Sequence, residues 1–155
     1  MGWDNYYLEL CYQVAKTSKD PSTKVGCIIF DDNHRIISTG VNGMPHGYPD
    51  EEKVLANREL KQKTILHSED NALLWAGRDA KGCTIVTTPF MPCSQCASKI
   101  VQAGIRRVLA PYYKGPRLKA WKESFLIAQD TFKKCNVELL LYTGSYWMCG
   151  YSENE

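Results

Sequence analysis

The sequence predicts an α/β fold: a three-layer α/β/α sandwich on a mixed five-stranded sheet. Three observations carry this. Short apolar runs rich in β-branched residues alternate with longer stretches of 3/4 hydrophobic spacing, in the order α-β-β-α-β-α-β-α-β. The first two strands are separated only by a turn and pair as a hairpin. Each later strand is reached through a helix-length segment, and such crossovers impose parallel pairing. At 155 residues and 44% hydrophobic, the chain suits a single domain over 1–155 with one core.

Trp3, Tyr7, Leu8, Leu10, Cys11 and Val14 give the opening stretch an amphipathic helical spacing. Ser18-Lys19-Asp20-Pro21-Ser22 ends that helix, because proline disfavours helical geometry in the residue before it. Val25 to Phe30 is an apolar run of buried-strand length. Asp31-Asp32-Asn33 turns the chain, and Arg35 to Thr39 returns beside it. Residues 40–49 hold three glycines and two prolines, a long shaped loop of the kind that carries function in compact domains. Residues 50–64 are charged, with too weak a periodicity to assign.

His67 opens a helix that runs to about Gly77, with Glu69 and Asp70 in its first turn, where the helix dipole favours acidic groups. Gly82 to Thr88 is a strand, broken by Pro89 and Pro92. Cys93 starts the next helix, which ends at a C-cap glycine, Gly104. Ile105–Ala110, Leu118–Lys134 and Val137–Tyr142 follow as strand, helix and strand, and the acidic tail from Ser152 onward is expected to fray.

Composition narrows the function classes. A net charge of +2 is too weak for a polynucleotide-binding surface. Seven cysteines at scattered spacings fit a reducing compartment and metal binding better than a disulfide framework. No apolar run reaches about 18 residues, so no membrane span is expected. The first residues show no basic-then-apolar leader, and the expected location is the cytoplasm.

Two motifs carry chemistry. His67-Ser68-Glu69 reads H-x-E, and Pro92-Cys93-Ser94-Gln95-Cys96 reads P-C-x-x-C. An imidazole and two thiolates make three protein ligands for a tetrahedral zinc ion, leaving one position for water, the mark of catalytic rather than structural zinc. Glu69 lies close enough in sequence to reach that water without ligating, and a carboxylate there can take and pass on its proton. A lone C-x-x-C also suits a redox pair, half of a zinc knuckle or two buried thiols. A redox pair has no use for the distant H-x-E, and the other five cysteines form no second close pair.

With both motifs in hand, the chain resembles the deoxycytidylate deaminases of the cytidine-deaminase superfamily over residues 5–142, with a phage or viral flavour. The matching pieces are Ser18–Gly26, Ser38–Pro45, His67–Ala72, Thr88–Cys96 and Gly104–Val108. The family's usual motif is H-A-E, and Ser68 stands here where alanine is usual. The resemblance implies the superfamily's fold and zinc-dependent hydrolysis of dCMP to dUMP and ammonia, feeding thymidylate synthesis. It implies Zn2+ on His67, Cys93 and Cys96 and proton transfer by Glu69. It further implies a sugar contact from Asn42 and phosphate contacts near Ser22, Thr23 and Lys24. Tyr112 and Tyr113 become candidates to stack on the pyrimidine or bind its phosphate. It also implies a homo-oligomer, a hexamer by family habit, with dCTP and dTTP as effectors bound around Asn42 and Gly43. Two alternatives stay open: a deaminase of another cytosine nucleotide or nucleoside such as dCTP or cytidine, and a catalytically inactive zinc-stabilised binding module.

Overall fold

The computed structural model describes residues 2–49 and 51–153. Among these, helix α1 (Trp3–Ala15) leads into a hairpin of β1 (Gly26–Phe30) and β2 (Ile36–Val41). Two short helices, α2 (Glu52–Ala56) and α3 (Arg58–Thr64), precede α4 (Ser68–Ala76) and a 3-10 turn at Gly77–Ala80. Then come β3 (Thr84–Thr88), α5 (Ser94–Gln102), β4 (Arg107–Pro111), α6 (Leu118–Lys134), β5 (Glu138–Tyr142) and β6 (Trp147–Met148).

The sheet order is β2-β1-β3-β4-β5-β6. β1 pairs antiparallel with both β2 and β3; β3, β4 and β5 run parallel; β6 returns antiparallel to β5. The mixed sheet and its parallel crossovers follow the expectation, with one correction. There are six strands among the described residues, not five. β6 is two residues long, too short for any alternation to show in the sequence.

Period-2 alternation divides the core into two faces. Ile28, Phe30, Val86 and Leu109 point to α1, where they meet Tyr7, Leu8 and Cys11. Cys27, Ile29, Ile85, Val108, Ala110, Leu139 and Leu141 point to the opposite layer of α4, α5 and α6, with Ala72, Ala97, Ile100, Phe125 and Phe132. The three layers are therefore α1, sheet, and α4–α5–α6.

Two glycines set local geometry. A Cβ on Gly40 of β2 would lie 2.4 Å from the Ser68 carbonyl oxygen and 2.6 Å from the Ala72 nitrogen, so only glycine lets α4 come this close to the sheet. Gly104 has φ +87°, the left-handed cap geometry expected after α5. The undecided segment 50–64 holds the two short helices α2 and α3. Of the tail, Asn154 and Glu155 lie outside the described residues.

Candidate active site

His67 and Cys93 occupy the same structural position, each the N-cap residue of a helix. The connection from α3 into α4 and that from β3 into α5 bring these two helix starts together. Leu66 is held in place by a two-way backbone bridge to Gly43 of the glycine-rich loop. Cys96 sits one turn into α5. The donor atoms of His67, Cys93 and Cys96 all lie within 4.8 Å of one another. His67 Nδ1 is 3.2 Å from Cys96 Sγ and 3.7 Å from Cys93 Sγ. With Zn–N bonds of about 2.0 Å and Zn–S bonds of about 2.3 Å, donors on one tetrahedral ion stand roughly 3.5–3.8 Å apart. The three side chains thus fit a zinc ion in donor type and in spacing, and no fourth protein donor joins them among the described residues.

The cluster is electrostatically tense. The hydrogen bond from Cys96, then that from His67, holds the Cys93 thiol down to about 4 against the cost of burial. The same hydrogen bond between the two side chains pushes the Cys96 thiol up. The hydrogen bond with Cys93 outweighs desolvation and raises His67 to about 8. Protons shared among imidazole and thiols in this way are those a divalent ion displaces on binding.

Glu69 is 5% exposed and lies beside the cluster. Burial pushes its carboxyl up, and the Ser68 hydroxyl, which donates to Oε1 at 2.5 Å, pulls the other way. Glu69, Ser68 and His67 line a pocket of about 180 Å³ with Thr23, Val25, Asn42, Ile65, Phe90 and Trp121. Its walls are largely apolar and aromatic, and a polar wall is supplied by Asn42. Both lone-pair directions of Asn42 Oδ1 are taken, by Ser18 Oγ at 2.7 Å and the Val25 N–H at 3.0 Å. Its Nδ2 donates to the Thr23 carbonyl at 2.8 Å. An amide nitrogen has two N–H groups, so Asn42 retains one donor for a ligand.

Other expected contacts fall differently. Lys24 does not line this pocket; its ammonium donates to the Ser18 carbonyl and serves the loop's own conformation. Tyr113 does not line it either. Its ring packs against Phe90 and Trp121, at centroid distances of 5.5 and 6.4 Å, and so braces two wall residues from behind. The Tyr112 ring packs against Tyr151 at a centroid distance of 4.5 Å, tilted by 33°. Ser22 is not among the residues that line this pocket. It opens a second, larger groove of about 740 Å³ with Arg58, Lys61 and Arg117, and Trp121 is common to both spaces. Arg117 donates to Thr23 Oγ1, and Lys61 is 3.1 Å from Asp20. The sequence reading missed Trp121, Phe90, Arg58, Lys61 and Arg117. Phe90 had a usable signal, its place inside Pro89-Phe90-Met91-Pro92-Cys93; the basic residues had none.

Comparison with known proteins points the same way. A family profile described as "Cytidine and deoxycytidylate deaminase zinc-binding region" matches residues 1–111. A protein of Aliivibrio fischeri described as an uncharacterized deaminase in the luxG 3' region is 42% identical over 137 residues, covering 88% of this chain and 91% of its own. Human deoxycytidylate deaminase is 33% identical over 141 residues, covering 85% and 79%. Among solved structures, the apo dCMP deaminase of cyanophage S-TIM5 superposes with a TM-score of 0.67 at 23% identity, over 88% of this chain and 94% of that one. The same enzyme in complex with dCMP and dUMP gives 0.65 at 24%, over 87% and 93%. By the profile and by these sequence relatives, the chain belongs to the cytidine and deoxycytidylate deaminase family and carries its zinc-binding region.

Proposed function

We propose that this chain hydrolyses dCMP to dUMP and ammonia. The observation that carries the reading is a base-sized pocket lined by the buried carboxylate of Glu69 and by His67 of the His/Cys/Cys donor set, with Trp121 shared between this pocket and a basic groove. The names of the human and cyanophage relatives support dCMP as substrate. Zinc held by His67, Cys93 and Cys96 supplies Lewis-acid activation of the attacking water. Phe90, Trp121, Ile65 and Val25 enclose the pyrimidine and exclude bulk solvent. Glu69 takes one proton from the water as its oxygen bonds to C4. Glu69 passes that proton to N3 as the C4=N3 double bond opens, then takes the remaining hydroxyl proton and delivers it to the 4-amino group as the C4–N bond breaks, releasing ammonia and leaving C4=O and N3–H. The raised proton affinity of a buried carboxylate suits a group that must both accept and release. Asn42 offers its remaining N–H to a sugar hydroxyl.

The phosphate we assign to the rim of Ser22, Lys61 and Arg117 with Arg58 behind, in place of Lys24. Guanidinium groups bind phosphate through paired, charge-assisted hydrogen bonds. Arg117→Gln is expected to lower kcat/KM for dCMP about 10- to 100-fold, since such bonds are worth roughly 1.5–3 kcal/mol. Lys24→Ala should change it by less than about threefold. Deoxycytidine should be turned over poorly by all three proteins and be indifferent to either change. Equal losses on both substrates in Arg117→Gln would make Arg117 structural, and a wild type that prefers deoxycytidine would defeat the monophosphate reading.

Regulation and assembly are part of the proposal. A cavity of about 260 Å³ beside the glycine-rich loop is lined by Lys19, Gly43, Met44, His46 and Tyr48, and it shares Asn42 with the base pocket. That shared side chain gives dCTP or dTTP bound there a route to the substrate. On α4, Leu74 and Trp75 are 70% and 81% exposed, apolar surface that supports a homo-oligomer, with a hexamer as the family-like state. Seven unpaired cysteines support the cytoplasm as its location. Sedimentation and dCMP saturation curves, each with and without dCTP, test both points. A monomer with a curve altered only by simple competition would contradict them.

A further inference from the structure

One carboxylate joins the two helices that present the zinc donors. Asp70 is the third residue of α4, and its Oδ2 accepts from the backbone N–H of His67 at 2.9 Å. Its Oδ1 accepts from Nζ of Lys99 at 2.6 Å. Lys99 stands three residues beyond Cys96 on α5, on the same side of that helix. Asp70 thus grips, with its two oxygens, the residue that offers the imidazole and the helix that offers both thiols. The His67 N–H is otherwise one of the orphan donors of a helix start. The Asp70 side chain is 13% exposed and that of Lys99 54%, so the contact is sheltered at the acidic end only.

Such a pair contributes little to overall stability. Its leverage lies in geometry. Three donors must hold their spacing for one ion, and partners behind the ligands set ligand orientation. We propose that Asp70 and Lys99 form a strap that keeps His67 in register with Cys93 and Cys96 and slows the loss of zinc. Both are positioning residues. The inference rests on the assignment of those three side chains as the zinc ligands.

The test is the rate at which purified, zinc-loaded protein gives up its metal to excess 4-(2-pyridylazo)resorcinol. Lys99→Met removes one half of the strap and leaves the His67 cap. It should release zinc about tenfold faster, at the low end of the 10- to 100-fold worth of such outer partners. Lys99→Arg should stay within about twofold of wild type, and Lys99→Met combined with Asp70→Asn should be no faster than Lys99→Met alone, since both cut one interaction. The melting temperature of Lys99→Met should match that of wild type. Unchanged release from Lys99→Met overturns the strap, even if Asp70→Ala releases zinc quickly, because Asp70 then only caps α4. Faster release accompanied by a lowered melting temperature overturns it too. Zinc content before the chelator separates the two levels: a wild type lacking about one zinc per chain would overturn the ligand assignment and the strap together, whereas normal content with unchanged release overturns the strap alone.

Discussion

Glu69 is held in its pocket by burial and by the Ser68 hydroxyl. It lies beside the three donors and is not one of them, so the proposed proton carrier is distinct from the proposed zinc ligands. Glu69→Gln should therefore retain zinc and fold, yet lose about 10²–10⁴-fold in kcat, the usual worth of acid–base catalysis. Near-normal turnover would assign the proton to another group. At this scale the sequence was most informative where chemistry restricts residue type. Zinc needs imidazole and thiolate, a proton carrier needs a carboxylate, and both requirements appear as short spacings in H-x-E and P-C-x-x-C. The residues we assign to the phosphate were not legible. Arg117 reaches Thr23 across 94 residues of sequence, and no spacing announces that contact. Lys24 looked suitable because it follows Ser22 and Thr23, but its ammonium turns inward to Ser18.

Among elements, the helix starts and the loops do the positioning. The amphipathic helices α1 and α6 and the buried strands were visible because packing imposes their periods on the sequence. The segment 50–64 was not, since its helices are short and charged, and α3 buries no residue among those described. The loop before β1 is fixed by Asp20, whose Oδ1 accepts from the N–H groups of Ser22 and Thr23 and from Lys61. Burial alone would raise the Asp20 carboxyl; these hydrogen bonds and the Lys61 charge bring it below its ordinary 3.8. A carboxyl depressed in the folded state contributes stability that is fully present above its unfolded value and is lost as pH falls through the folded one. Asp20→Asn should thus lower Tm by roughly 3–6 °C at pH 7. The gap from wild type should close below pH 3.8, measured by thermal unfolding across pH. A gap that persists unchanged at the lowest pH would show that Asp20 contributes no charge-dependent support.

The whole molecule sets a base pocket, a basic groove and a loop cavity around one pair of helix starts on the α4–α5–α6 side of the sheet. No helix among the described residues is long and apolar enough to cross a membrane. The layer arrangement was legible because hairpin and crossover lengths restrict pairing; the extra edge strand β6 was not, because a two-residue strand carries no pattern. The proposed reading makes the metal site catalytic rather than structural, and the most direct test compares the same protein with and without its metal. The chain would be stripped of zinc by a chelator, checked by circular dichroism, and assayed for conversion of dCMP to dUMP by absorbance, before and after one equivalent of zinc is restored. The account predicts about one zinc per chain as purified, no conversion by the stripped protein, and recovery on reloading. Stripped, folded protein that converts dCMP at the original rate would contradict it.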